Sequence, residues 1–159
     1  MRPLTTALLI SALAASPAAA HNPWGAHPGS IQVPPGERAS SAPDRIDLTW
    51  LTWGQVREAW VIPDGGLARW SEDDQERAFT VTAADFSLVR EVLRPYEGRE
   101  FRCERIVPDM PYGQIVWSWT GGGDHEVGFD AGCTGGDADD LLRRLEEVQS
   151  VLEALRDRT

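Results

Sequence analysis

The stretch DRIDLTWLTWGQVREAWVIPDGGLARWS, residues 44–71, decides the fold. Apolar and polar residues alternate at 46–51 and again at 56–62, a period of two that is typical of strands with one buried face. Gly54 follows the first run, and Pro-Asp-Gly-Gly at 63–66 follows the second, and both are turn signals. The stretch therefore predicts an antiparallel meander of three strands.

The residues after the meander predict a helix that is preceded by a short strand. An acidic loop is expected at 72–76 and a strand at 78–81. Thr82 and Asp85 then have the spacing of a capping box, which marks a helix start, and Pro95 marks its end. One apolar stripe follows the cap: Phe86, Val89, Val92 and Leu93.

The last third of the chain predicts more strands and a terminal helix. Strand patterns occur at 101–107, 114–120 and 125–130, the last two joined by a glycine-rich turn. A long helix is expected from Asp137, with its apolar residues on one face. We therefore predict a single α+β domain at 44–159, with an antiparallel sheet of about six to seven strands packed against two helices.

This order of elements resembles a bacterial envelope family of unknown function. Members of that family run strand hairpin, helix, Asp-x-Pro loop, hairpin and terminal helix. The matching residues are Asp-Gly-Gly at 64–66, Asp-Met-Pro at 109–111 and the helix from Asp137. The resemblance implies this fold over nearly the whole domain, and it implies no activity.

The first twenty residues predict a secretory signal peptide. Arg2 is the only charge before the apolar run at 4–15, and alanines at 18–20 supply the small residues that signal peptidase needs. Cleavage would leave His21 at the amino terminus, followed by an arm at 21–43 that its Pro, Gly and Ser content predicts to be flexible. No later stretch reaches the ~18 apolar residues of a membrane span. A periplasmic or secreted protein is expected.

The net charge narrows the classes of partner, and the two cysteines predict a disulfide. The formal net charge of -10 argues against nucleic acid and leaves a cationic envelope protein or a glycan. The acidic surface predicted to meet a cationic partner consists of Glu72, Asp73, Asp74 and Glu76. The two cysteines, Cys103 and Cys133, predict a disulfide in an oxidising compartment.

Tryptophans offer a possible ligand platform. Trp117 and Trp119 are two apart in a predicted strand, so their side chains share a face. If exposed, they would form a stacking platform for a sugar ring; if buried, they would fill the core. Trp53 and Trp50 lie on opposite faces of their strand, so one of them should be partly exposed.

Histidines offer a possible metal site. His21 as a mature amino terminus could chelate copper through its amino group and its imidazole together, as histidine-brace copper proteins do. His27 or His125 would supply a second imidazole. The alternative is an ordinary residue of the arm.

Catalytic signatures are missing from the sequence. It contains no Gly-x-Ser-x-Gly, and the glycines at 121–123 join two strands instead of leading into a phosphate-binding helix. We interpret the chain as a small, exported, disulfide-stapled, non-catalytic binding or modulator protein of the bacterial envelope. The alternatives are copper binding through His21 and glycan binding through exposed tryptophan.

Overall fold

The computed structural model describes residues 42–99, 101 and 103–158. The predicted signal peptide and most of the arm, with His21 and His27, lie outside the described residues. The strands are β1 (Arg45–Thr52), β2 (Gln55–Pro63), β3 (Gly66–Glu72), β4 (Gln75–Val81), β5 (Arg105–Ile106), β6 (Tyr112–Trp119), β7 (Gly123–Asp130) and β8 (Cys133–Thr134). The helices are α1 (Ala83–Leu93), followed by a 3₁₀ turn (Arg94–Tyr96), and α2 (Ala138–Asp157).

Six strands form one antiparallel sheet in the order β4-β3-β2-β1-β6-β7. The short strands β5 and β8 pair separately. Within the described residues, one crossover in the large sheet takes the chain from β4 through α1 to β6, which pairs with β1. The predicted α+β class, with an antiparallel sheet and two helices, is confirmed.

One face of the large sheet forms the core. In β1, Leu48 lies opposite Trp60 of β2 and Ile115 of β6, and all three are buried. Both helices pack on this face, α2 through the predicted stripe, in which Leu141, Leu145, Val148, Leu152 and Leu155 are buried. Each fully buried large apolar side chain stabilises the fold by roughly 1.5–3 kcal/mol.

The start of α1 is fixed by the predicted capping box, which is confirmed. The Asp85 amide donates to Thr82 Oγ1 at 3.1 Å, and the Thr82 amide donates to Asp85 Oδ2 at 2.9 Å. The hydrogen bond from the Thr82 backbone is the main reason that the pKa of Asp85 lies below its usual value. The helix ends at Leu93, and Pro95 lies in the 3₁₀ turn that follows.

Polar contacts join the two helices. The Tyr96 hydroxyl shares its single proton between two acceptors, the Asp137 carbonyl at 2.9 Å and Asp140 Oδ2 at 3.1 Å. Arg144 donates to Asp140 at 2.6 Å and to the Val92 carbonyl at 2.9 Å. The Arg144 hydrogen bond is the main cause that lowers the pKa of Asp140 to about 2, and burial, with Asp140 nearby, raises that of Tyr96 to about 12.

Two predicted elements are wrong. The acidic segment 72–76 is a tight hairpin instead of a loop, because β3 continues to Glu72 and β4 begins at Gln75. The left-handed backbone of Asp73, with φ 48°, makes this turn possible. Among the described residues of the strand predicted at 101–107, only Arg105–Ile106 form a strand, because the partner strand β8 is equally short.

Neither helix of the described region combines the length and the apolar composition that crossing a membrane would need.

Candidate binding cleft

The sheet brings several turns together at one of its ends. β1 and β2 are joined there by residues 53–54, and β3 and β4 by 73–74. β7 ends and β6 begins at the same end, where Asp130 pairs with Tyr112. We call this region, made of turns 53–54 and 73–74 and segments 107–112 and 130–132, the upper end.

A cleft of about 410 Å³ opens at the upper end. It is lined by Thr52, Trp53, Gly54, Asp109, Met110, Tyr112 and Asp130. Trp53 is 78% exposed and Met110 is 44% exposed, so both offer apolar surface to solvent. The cleft thus combines an exposed indole, a thioether, a phenol and two carboxylates.

The backbone of the β1–β2 turn sets the position of Trp53. Thr52 pairs with Gln55, so Trp53 and Gly54 form a two-residue turn, and both have positive φ, 53° and 76°. Such turns normally use Asn-Gly or Asp-Gly, since a left-handed residue with a bulky side chain costs about 1–2 kcal/mol. The Gly54 amide donates to Tyr112 Oη at 2.9 Å and so ties the turn to β6. Strained residues of this kind concentrate at functional sites.

The opposite wall of the cleft is held by backbone contacts. The Val107 amide donates to the Gly132 carbonyl at 2.8 Å, and the Ala131 amide donates to the Pro111 carbonyl at 2.8 Å. A Cβ on Gly132 would lie 2.0 Å from the Val107 carbonyl oxygen, so the close approach of the two segments requires glycine here. Between these contacts the chain turns at Asp109, with φ 64°.

The predicted disulfide holds the same wall and is confirmed. Cys103 and Cys133 are bonded, with their Cα atoms 5.5 Å apart. Cys133 also pairs with Ile106 in the small β5–β8 sheet. The bond therefore anchors the segment that carries Asp109 into the cleft.

The carboxylates of the cleft make few contacts. Asp130 Oδ1 accepts a hydrogen bond from the Gly132 amide at 2.7 Å. Within the described residues, Asp109 makes no side-chain hydrogen bond, and neither aspartate belongs to an ion pair. Among the described residues that line the cleft, there is no Arg or Lys. Its field is therefore anionic.

The predicted acidic surface lies at the same end of the sheet. Its residues are all exposed: Glu72, Asp73, Asp74 and Glu76. Arg57 Nη1 lies 3.1 Å from Asp73 Oδ1, which offsets part of the charge and links this turn to β2. The acidic surface and the cleft therefore belong to one end of the molecule.

The structure separates the two predicted stacking residues. Trp117 is fully buried, so an exposed platform of Trp117 and Trp119 is wrong, and the core interpretation is confirmed for Trp117. The reason is that Trp117 lies opposite Ile46 on the face that the helices cover. Trp119 is partly buried against the same core.

The Trp50 and Trp53 pair behaves as predicted. The ring centroids of Trp50 and Phe129 lie 4.5 Å apart, so Trp50 packs against Phe129, and Trp53 is the exposed member of the pair. The exposure of Trp53 comes from the turn, however, and not from the outer face of a strand.

The structure describes only one of the three histidines predicted as copper ligands. His125 lies opposite Trp117 in the β6–β7 pair, with ring centroids 5.5 Å apart. Among the described residues, no three His, Cys, Asp or Glu side chains are placed to hold a metal ion. Copper binding through His21, with His27 or His125, stays a prediction.

The cleft itself was not predicted from the sequence. One signal was available, since Trp53-Gly54 places a tryptophan where a hairpin turn normally has Asn or Asp. Asp109, Met110 and Asp130 gave no such signal, because they meet Trp53 only through the strand order of the sheet.

Comparisons with known proteins found no protein-family model, no curated protein and no solved structure that matches this chain.

Proposed function

We propose that this disulfide-stapled protein is an exported, non-catalytic binding or modulator protein of the bacterial envelope, and that the upper end binds a cationic partner protein. The observation that carries the proposal is the cleft, in which exposed Trp53 stands beside two carboxylates. Trp and Met are enriched in protein interfaces, and Trp is among the residues that most often dominate the binding energy. The acidic surface beside the cleft adds charge that complements a basic protein.

Export is supported by the signal-like first twenty residues and is compatible with the disulfide. The intact mass of the protein recovered from the envelope fraction tests it directly. A chain that starts at His21 and lacks two hydrogens relative to the thiol form supports export with oxidation. A chain that retains the first twenty residues contradicts cleavage.

The binding role is tested by affinity capture from an envelope extract, followed by titration of the purified candidate partner. We expect a basic protein that the wild-type chain captures and the Trp53→Ala variant does not. Leu88→Ala is the matched control, because Leu88 is a large, exposed apolar residue on α1, away from the cleft. Equal affinity of the wild type and Trp53→Ala would contradict binding through the upper end.

Exposed Trp53 also supports a second candidate, binding of a glycan strand by stacking on the indole. Titration with soluble peptidoglycan fragments, monitored by tryptophan fluorescence, tests it. A saturable change that is absent in Trp53→Phe would favour the glycan. An unchanged spectrum over the titration would count against it.

A further inference from the structure

We infer that the cleft is a receptor for a single basic side chain of the partner, an arginine. This inference rests on the proposed function and assigns the part of the partner that enters the cleft. The volume of about 410 Å³ lies within the range of roughly 300–1,000 Å³ that is usual for binding clefts.

Charge is the first argument for a cation. Asp109 and Asp130 contribute two carboxylates, and the described residues that line the cleft include no Arg or Lys to neutralise them. Elsewhere in the described residues, several carboxylates pair with arginines, for example Asp137 with Arg99, and Asp140 with Arg143 and Arg144. In the described part of the chain, the cleft pair stands apart from this network.

Shape is the second argument, and it favours arginine. The exposed indole of Trp53 offers a flat face on which a planar guanidinium stacks, with a cation–π attraction. Met110 offers apolar surface to the methylene groups of a long side chain.

Hydrogen bonding is the third argument. A guanidinium has five N–H donors in a planar fork that matches carboxylate oxygens. Asp130 uses Oδ1 for the Gly132 amide, and this leaves Oδ2 as an acceptor. Asp109 has no side-chain hydrogen bond within the described residues, so both of its oxygens are acceptors. The ammonium group of a lysine has only three N–H donors for these carboxylate oxygens, and it has no planar face to stack on the indole.

The test uses the oxidised mature chain, labelled with ¹⁵N, and two capped tripeptides, Gly-Arg-Gly and Gly-citrulline-Gly. Citrulline keeps the shape of arginine but carries no charge. We expect saturable shifts of the amides of Trp53, Gly54, Asp109 and Asp130 with the arginine peptide. We expect affinity about tenfold weaker for the citrulline peptide.

Single substitutions test whether the two cleft carboxylates bind the arginine side chain. Asp109→Asn and Asp130→Asn should each weaken binding of the arginine peptide about fivefold. Asn tolerates the left-handed backbone of residue 109, and its side-chain oxygen can still accept from Gly132 at 130. Asp74→Asn is the control, since Asp74 is exposed on the neighbouring turn but does not line the cleft. It should leave the affinity within about twofold.

The inference is overturned if the two peptides bind equally, or if the cleft amides do not shift at peptide concentrations up to about 20 mM. If either of these results is obtained but capture of a basic protein still depends on Trp53, the proposed function stands and only the arginine inference fails. If the arginine peptide binds as expected but capture ignores Trp53→Ala, the cleft binds arginine, but the proposed partner binding fails, and with it the assignment of that arginine to the partner.

Discussion

At the residue scale, Gly113 allows two parts of the core to approach closely. A Cβ on Gly113 would lie 2.1 Å from the Thr49 carbonyl oxygen and 2.5 Å from Phe129 Cζ. Gly113 pairs with Trp50, whose ring lies against Phe129. The space that a side chain would occupy is therefore already filled by an aromatic ring and by backbone.

We expect Gly113→Ala to lower the free energy of unfolding by about 1–3 kcal/mol, since overpacking forces the neighbours to move. Urea unfolding followed by circular dichroism measures this change. Gly122→Ala is a milder control, because its Cβ would meet Trp119 Cβ at 3.2 Å. Equal losses in the two variants would contradict the close approach at Gly113.

Asp140 predicts a dependence of stability on pH. Its pKa of about 2 in the folded chain lies below the usual 3.8, chiefly because Arg144 donates to it. The stability that it contributes is therefore complete above the ordinary pKa and is lost as the pH falls through about 2. Because the side chain is 41% exposed, solvent screens these ion pairs.

Accordingly, Asp140→Asn should lower the free energy of unfolding by about 1 kcal/mol at neutral pH. The difference from wild type should shrink as the pH falls below the ordinary pKa of 3.8, and only a small part of it should remain near pH 2, where the wild-type carboxyl is about half protonated. Urea titrations at both pH values measure it. Asp139→Asn is the control in the same helical turn, because Asp139 is exposed and belongs to no ion pair of the described residues. A difference that persists unchanged at low pH would contradict the assignment to Asp140.

At the element scale, the disulfide ties the wall of the cleft to the rest of the domain. The 30-residue separation of Cys103 and Cys133 encloses β6, β7 and the segment that carries Asp109. Cross-linking so long a loop restricts the unfolded chain.

Replacing both cysteines by serine should therefore lower the free energy of unfolding by about 2–4 kcal/mol. It should also weaken binding of the arginine peptide, because segment 107–111 loses one of its anchors. Urea unfolding and the peptide titration test the two effects. Unchanged peptide affinity in a variant of lowered stability would show that the backbone contacts alone hold the cleft.

The elements that sequence could predict are those specified by local patterns. Alternation and turn residues predicted β1 to β3, and the Thr82 and Asp85 pair predicted the start of α1. The hairpin at 72–76 was missed because its exposed charges look like a loop, although a two-residue turn was enough to join β3 to β4.

The candidate site could not be predicted in the same way. The burial of Trp117 depends on which face of the sheet the helices cover, and a strand pattern alone does not say which. The cleft needs β6 to pair with β1, which brings together residues 53, 109 and 130 across long stretches of chain.

At the scale of the whole molecule, net charge governs encounter with a partner. A chain with a formal charge of -10 attracts a basic protein over a distance that salt shortens to about 10 Å at 0.1 M. We expect the association rate with the captured basic partner to fall at least tenfold between about 0.05 and 0.5 M NaCl. Surface plasmon resonance measures the rate. A rate that does not change with salt would contradict electrostatic steering.

The direction of β1 has a consequence for how the protein can be displayed. β1 begins at Arg45, at the end of the sheet opposite the cleft, where the Asp44 amide donates to the Ser118 carbonyl. Its eight residues then span about 26 Å to the turn that carries Trp53. A chain anchored directly before β1, at residues 42–44, on a bead or on a surface, would therefore present the cleft on its far side, open to molecules that diffuse in from solution.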